Sequence, residues 1–199
     1  MAIVEEVHEE SDVLSSVENL KKEGNTKFGE GDWGAAAEKY KEALELCPVE
    51  NDLLRSILFS NLSAAYIKQA LWEAAVEAAT NAIESNVPNE KALERRAFAY
   101  SNIPEKYQNA LDDYEKLKEQ FPQRTQYEVK IRDLRKKIEI RNEEMKNEMI
   151  AKLKQLGDVC LRPFGLSTDS FQLTPNAEGG YSISMKNSGE QQEKQQDAT

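Results

Sequence analysis

Histidine occurs once in the 199 residues, at position 8, and cysteine only twice, at 47 and 160. A catalytic base or metal site built on histidine has no constellation around His8, and the two thiols have the spacing of neither a zinc pair nor a disulfide framework. A reducing compartment fits this usage. Positive charge is also short: 26 Lys and Arg against 36 Asp and Glu leave a net charge of −10. Nucleic acid and anionic membranes would repel such a surface. No run approaches the roughly 18 apolar residues that span a bilayer. Met1 to Asp12, with five acids and no Lys or Arg, resembles neither a signal nor a transit peptide. No Gly-rich phosphate loop or paired-carboxylate motif stands out. The expectation is a cytoplasmic protein that is not an enzyme, with no cofactor and no metal.

What the chain does have is repetition at helical spacing. Residues 1–16 read as an acidic, unstructured leader, and the pattern starts at Val17. Gly24, Ser63 and Ala97 are small residues at one equivalent position, where two helices must approach closely. Lys27, Tyr66 and Tyr100 share a second position, Ala36, Ala75 and Ala110 a third, Tyr40, Ala79 and Tyr114 a fourth, and Ala43, Ala82 and Leu117 a fifth. The offset is 39 residues between the first two units, then 34 or 35. A period of about 34 marks stacked helix pairs, with about five extra residues near Asn51 to Arg55 lengthening the start of the second unit. Three units follow, 17–50, 51–89 and 90–122.

Leu20, Gly24, Phe28, Gly31, Trp33, Ala36, Tyr40, Ala43 and Pro48 resemble the tetratricopeptide repeat (TPR) pattern, and the resemblance covers residues 17–122. It implies an all-α fold of three TPR helix pairs in a right-handed solenoid. The chain departs from the pattern in two turns. Ala70 stands where a glycine is usual, and Val87 where a proline is, with Pro88 one place later. Trp33 and Trp72 read as inter-helix core.

The first helices of successive units line the concave face of such a stack, so their side chains converge on one groove. Lys21 and Asn25 are four apart and share a face, as do Lys91 and Arg95. Asn61 is placed at the start of the first helix of the second unit, while Arg96 falls about 100° away from Arg95. The set Lys21, Asn25, Asn61, Lys91 and Arg95 resembles the dicarboxylate clamp of co-chaperone TPR domains. That resemblance implies binding of the Glu-Glu-Val-Asp C-terminus of the 90- and 70-kDa heat-shock chaperones. Asn25, Asn61 and Lys21 would hold the terminal carboxylate, and Lys91 and Arg95 the aspartate side chain and nearby backbone. Charged hydrogen bonds contribute about 1.5–3 kcal/mol each. Against an association cost of about 4–15 kcal/mol, they leave micromolar affinity, about −8 kcal/mol. The alternative is a signalling scaffold whose groove or C-terminal helix holds a protein other than a chaperone.

Beyond Pro122, residues 123–157 read as a long helix with Ile131, Leu134, Ile138, Met145, Met149, Leu153 and Leu156 on one stripe. Its first half would cap the third unit, and Gly157 reads as its stop. Cys160 reads as a small buried hydrophobe. In the apolar tail, 158–186, Phe171 and Leu173 alternate, as do Tyr181, Ile183 and Met185. This reads as a small β-hairpin about Pro175 to Gly180. Residues 187–199 are polar and read as disordered. The run from Leu161 to Phe171, with the repeats, resembles the tetratricopeptide repeat protein 1 family. The tail either folds back on the helix or, with residues 140–186 as a whole, engages a second protein.

Overall fold

The computed structural model describes residues 2–85, 89–175 and 181–185, and the side chains of 2–11, 173, 175, 181 and 183 are not described. Val87 and Pro88, the hairpin turn at 176–180 and the polar tail at 187–199 therefore lie outside the described residues, as does the His8 side chain. The chain divides into two units, 1–139 and 140–199.

The first unit is built from α1 (Ala2–Glu30), α2 (Trp33–Leu46), α3 (Asp52–Lys68), α4 (Trp72–Glu84), α5 (Glu90–Tyr100), α6 (Tyr107–Gln120) and the first half of α7 (Gln126–Leu161). Consecutive helices pair, and three starts carry the same device. Asp32, Asn51 and Asn89 each accept from the backbone N–H three residues on, satisfying a donor that the first turn leaves open. The small residues at the equivalent positions explain how closely the pairs approach. A Cβ on Gly24 would lie 2.6 Å from the Tyr40 ring. Ser63 donates to the Ala75 carbonyl at 2.8 Å, and Ala97 is fully buried.

Two apolar clusters fill the unit. The first gathers Val17, Ala36, Tyr40, Leu54, Leu58 and Leu62. The second gathers Ala97, Ala110, Tyr114, Leu117, Tyr127, Ile131 and Leu134. In the latter, Tyr127, Ile131 and Leu134 of α7 cover the third helix pair, and Tyr127 donates to Glu90 at 2.8 Å. Between α5 and α6 the Arg96 guanidinium grips Asp113 with two bonds, of 2.7 and 2.9 Å. The tryptophans are less enclosed than expected of core residues. Trp33 is 37% exposed, and Trp72 is partly covered by an edge-on contact with Phe98, 6.2 Å between ring centres.

The leader expected over residues 1–16 is helical from Ala2 onward. No Gly or Pro precedes Gly24, Val17 is buried and Leu14 packs beside it. Once that turn is anchored, each preceding residue adds a hydrogen bond at no new nucleation cost.

The turn departure at Ala70 is visible as a left-handed backbone, φ 57°, where the equivalent turn after α1 uses Gly31 at φ 85°. An L side chain there costs about 1–2 kcal/mol, partly offset by the freedom glycine would add to the unfolded chain. Ala70→Gly is expected to stabilise the protein by about 0.5–1 kcal/mol, a rise of about 2 °C in melting temperature. A calorimetric melt that shows no rise counts against strain at this turn.

The second unit begins on the latter half of α7. That helix does not stop at Gly157. It continues to Leu161, then passes through a 3-10 turn, Arg162–Phe164, into the left-handed Gly165. Gly157 serves a close approach instead, since a Cβ there would lie 2.6 Å from the Thr168 methyl. A second 3-10 turn, Thr168–Ser170, leads into β1 (Phe171–Pro175), which pairs antiparallel with β2 (Tyr181–Met185), Phe171 opposite Met185. Cys160, expected to be buried, is exposed. No helix among the described residues is long and apolar enough to cross a membrane.

Candidate functional site

The residues singled out by the repeat alignment stand on α1, α3 and α5, the first helix of each pair. Asn61 sits beyond the midpoint of α3, not at its start, because α3 is already helical at Asp52 behind its Asn51 cap. The extra residues of the second unit thus became helix, extending α3 before Asn61. From there the Asn61 amide donates to Asn25 Oδ1 at 3.3 Å. The same Asn25 oxygen accepts from the Tyr40 hydroxyl at 2.8 Å.

Arg95 reaches from α5 to α3. Its guanidinium donates to the Ser60 carbonyl at 2.7 Å and to the Ser60 hydroxyl. Burial holds it below the usual guanidinium range, with Glu94 and Tyr40 opposing that shift. Lys21 is 2.6 Å from Glu18 on its own helix, so an acid inside the chain already engages its ammonium group. Lys91 has no acidic partner within 4.0 Å among the described residues.

Lys91 and Arg95 line one groove of about 640 Å³. Its walls bring in residues that the motif alone does not name: Lys68 at the end of α3, Lys130 on α7, and the apolar Phe28, Ile67 and Phe98. Glu94 is the one acidic residue there, and Tyr114 closes the floor. Neither Lys68 nor Lys130 meets an acid within 4.0 Å among the described residues. The structure therefore joins Asn25 to Asn61 by a hydrogen bond and puts Lys91 with Arg95 in the groove. Lys21, Asn25 and Asn61 lie outside the groove lining, and Arg96 is turned away, onto Asp113.

A signal for several of the additional residues was present. Phe28 is three residues after Asn25, Lys68 seven after Asn61, and Phe98 three after Arg95. These spacings continue the same helix faces by one turn, or by two for Lys68. Lys130 had no such signal, since its stretch of α7 is marked in the sequence only by packing residues. Chemically the groove offers four cations and one carboxylate among apolar and aromatic side chains. It suits an extended segment that alternates carboxylates with an aliphatic side chain.

No protein-family model matches the chain. Over 99 residues it is 32% identical to the human mitochondrial import receptor subunit TOM70, covering 50% of this chain and 16% of the receptor, so it spans only a small part of that relative. The Arabidopsis OM64 TPR domain superposes with a TM-score of 0.56 at 26% identity, over 62% of this chain and 98% of that domain. The C. elegans myosin chaperone UNC-45, solved in complex with a Hsp70 peptide, gives a TM-score of 0.61 at 26% identity, over 71% of this chain and 16% of the chaperone. The architecture is that of TPR protein-interaction domains, an α-solenoid of helix pairs.

Proposed function

We propose that this TPR domain is a co-chaperone-type adaptor whose groove holds the acidic C-terminal peptide, Glu-Glu-Val-Asp, of 90- or 70-kDa heat-shock chaperones. One observation carries the reading. In a chain of net charge −10, Lys68, Lys91 and Lys130 lack acidic partners among the described residues and share one groove with Arg95. Four cations against the one carboxylate of Glu94 leave a net positive charge that repels itself, and an acidic ligand relieves that repulsion. In this reading Lys91 and Arg95 engage the aspartate side chain and nearby backbone, and Asn25, Asn61 and Lys21 the terminal carboxylate. Lys21 must first exchange Glu18 for the ligand. The Hsp70 peptide held by the similar UNC-45 supports the ligand class. The repeats with the Leu161 to Phe171 run also resemble the tetratricopeptide repeat protein 1 family, to which the proposal assigns the chain. A cytoplasmic setting and a further protein surface within 140–186 complete the proposal.

Calorimetric titration of a Glu-Glu-Val-Asp peptide tests it. Binding is expected at micromolar affinity. Amidating the terminal carboxylate, or replacing Lys91 by alanine, removes charged hydrogen bonds of about 1.5–3 kcal/mol and weakens binding about 10- to 100-fold. Affinity should also fall as salt rises from 50 to 500 mM, because the groove is open to solvent. If amidation and Lys91→Ala both leave affinity unchanged, the clamp reading fails, and a scaffold that binds another kind of ligand takes its place.

A further inference from the structure

The second unit holds an apolar surface that neither the groove nor the fold uses. Met145, Met149, Leu153 and Leu156 are 47%, 63%, 61% and 64% exposed, and Cys160 is exposed beside them. At about 100° per residue these five positions fall within roughly 40° of Met149, a stripe about 22 Å long. Ile150 and Val159 flank it, 43% and 64% exposed.

Among the described residues, the returning tail does not cover this stripe. Its contacts fall on Gly157, beside the Thr168 methyl, on Asp158, which accepts from the Thr168 N–H, and on Lys154, 3.6 Å from Asp169. Those three positions lie roughly 80° to 180° around the helix from Met149. The tail folds back, but on the other side.

The distribution of charge says what fits the stripe. Residues 140–148 carry three acids and two bases, while 149–162 carry three bases and one acid. The segment thus has an acidic first half and a basic second half. It is also close to neutral in a chain that is otherwise strongly acidic, so here self-association meets little repulsion. A second copy laid antiparallel sets each acidic half against a basic half, whereas a parallel copy sets like against like. A two-fold axis near residue 150 lies at the centre of Met145, Met149, Leu153 and Leu156. It also brings Glu148 of each copy opposite Lys152 of the other, so that the ion pair these two form within one helix, at 2.6 Å, is shared across the axis as two equivalent pairs, as an isologous interface requires.

We propose that α7 beyond residue 139 is a homodimerisation helix, pairing antiparallel with its copy through Met149, Leu153 and Leu156. The adaptor would then present two grooves per assembly.

Sedimentation velocity on the full chain tests it. The weight-average mass is expected to climb from one chain toward two between about 1 and 100 μM, the range of a micromolar dimer. Met149→Glu with Leu153→Glu should weaken association at least about tenfold, with helical circular dichroism and melting temperature unchanged, since both side chains are exposed. Orientation is read separately by oxidative cross-linking in a Cys160→Ser background. Met149→Cys, beside the axis, should form a covalent dimer, and Leu156→Cys, which faces about residue 144 of the copy, should not. A chain that stays monomeric at 100 μM overturns the proposal. Association that survives the double glutamate variant, or cross-linking at 156 as readily as at 149, overturns it as well.

Discussion

Replacing Asp113 by alanine is expected to lower the unfolding free energy by about 3–5 kcal/mol, the usual cost of removing one partner from a buried ion pair. Asp113 is 3% exposed and takes both bonds from Arg96, whose side chain is 17% exposed. Arg96 also donates weakly to Thr80 at 3.5 Å, so the pair bridges α4, α5 and α6. The Asp113 hydrogen bond and charge hold the Arg96 pKa above its ordinary value; with the carboxylate gone the guanidinium still keeps its charge, because arginine is not deprotonated in proteins. It is left desolvated without compensation. For a chain of this size the loss corresponds to a melting temperature lower by about 10 °C. Denaturant unfolding and calorimetry together measure it. The double variant Arg96→Met, Asp113→Leu is expected to recover most of the loss, since apolar replacement of a whole buried pair is often neutral. A cost below about 1 kcal/mol for Asp113→Ala would mean that the carboxylate is solvated in solution.

The second large effect is alkaline unfolding. Tyr40, Tyr114 and Tyr127 are 2%, 2% and 1% exposed. Burial, first among the causes in each, raises all three phenols above the ordinary value of 10. Protons therefore leave the unfolded chain near pH 10, while the folded chain retains them. The folded state binds more protons over this interval, so stability falls as pH rises. Each tyrosine contributes about 1.4 kcal/mol per pH unit while only the unfolded form is ionised. Three together give about 4 kcal/mol per unit. The stability curve should decline gently from about pH 9, where burial also holds up the Cys47 thiol, and collapse between about pH 10 and 12, with phenolate absorbance appearing together with loss of helix. Tyr114→Phe keeps the ring packing and should reduce the slope by about a third. If phenolate absorbance appears near pH 10 in protein whose helix is intact, the rings are accessible and the account fails.

How much of this was legible beforehand depended on whether a feature is periodic. Small residues at Gly24, Ser63 and Ala97 recur because each lies against the next helix, so their spacing disclosed the helix pairs. The same spacing put Lys91 and Arg95 on one face and sent Arg96 elsewhere, onto Asp113. What escaped was decided by contacts with no period. Gly157 has the composition of a helix end, yet the Thr168 methyl beside it accounts for the absent side chain. The first sixteen residues have the composition of a solvated leader, yet Val17 and Leu14 anchor a helix that nothing before Gly24 interrupts. Cys160 reads as core because its sequence neighbours are apolar, but it lies on a face left open among the described residues. Lys130 joined the groove through the way α7 lies across the third helix pair, a tertiary fact with no local mark.

One consequence of the Asn25 hydrogen bonds reaches beyond stability. Its oxygen already accepts from both Tyr40 and Asn61, so the amide can neither flip nor swing without breaking a bond. Its NH₂ group makes no hydrogen bond among the described residues. The rotational freedom that a surface asparagine would surrender on meeting a carboxylate has been surrendered already, during folding. That amide is also selective by construction, since with its acceptor occupied it has only N–H groups left to offer. A carboxylate can use them, and an ammonium or guanidinium group cannot.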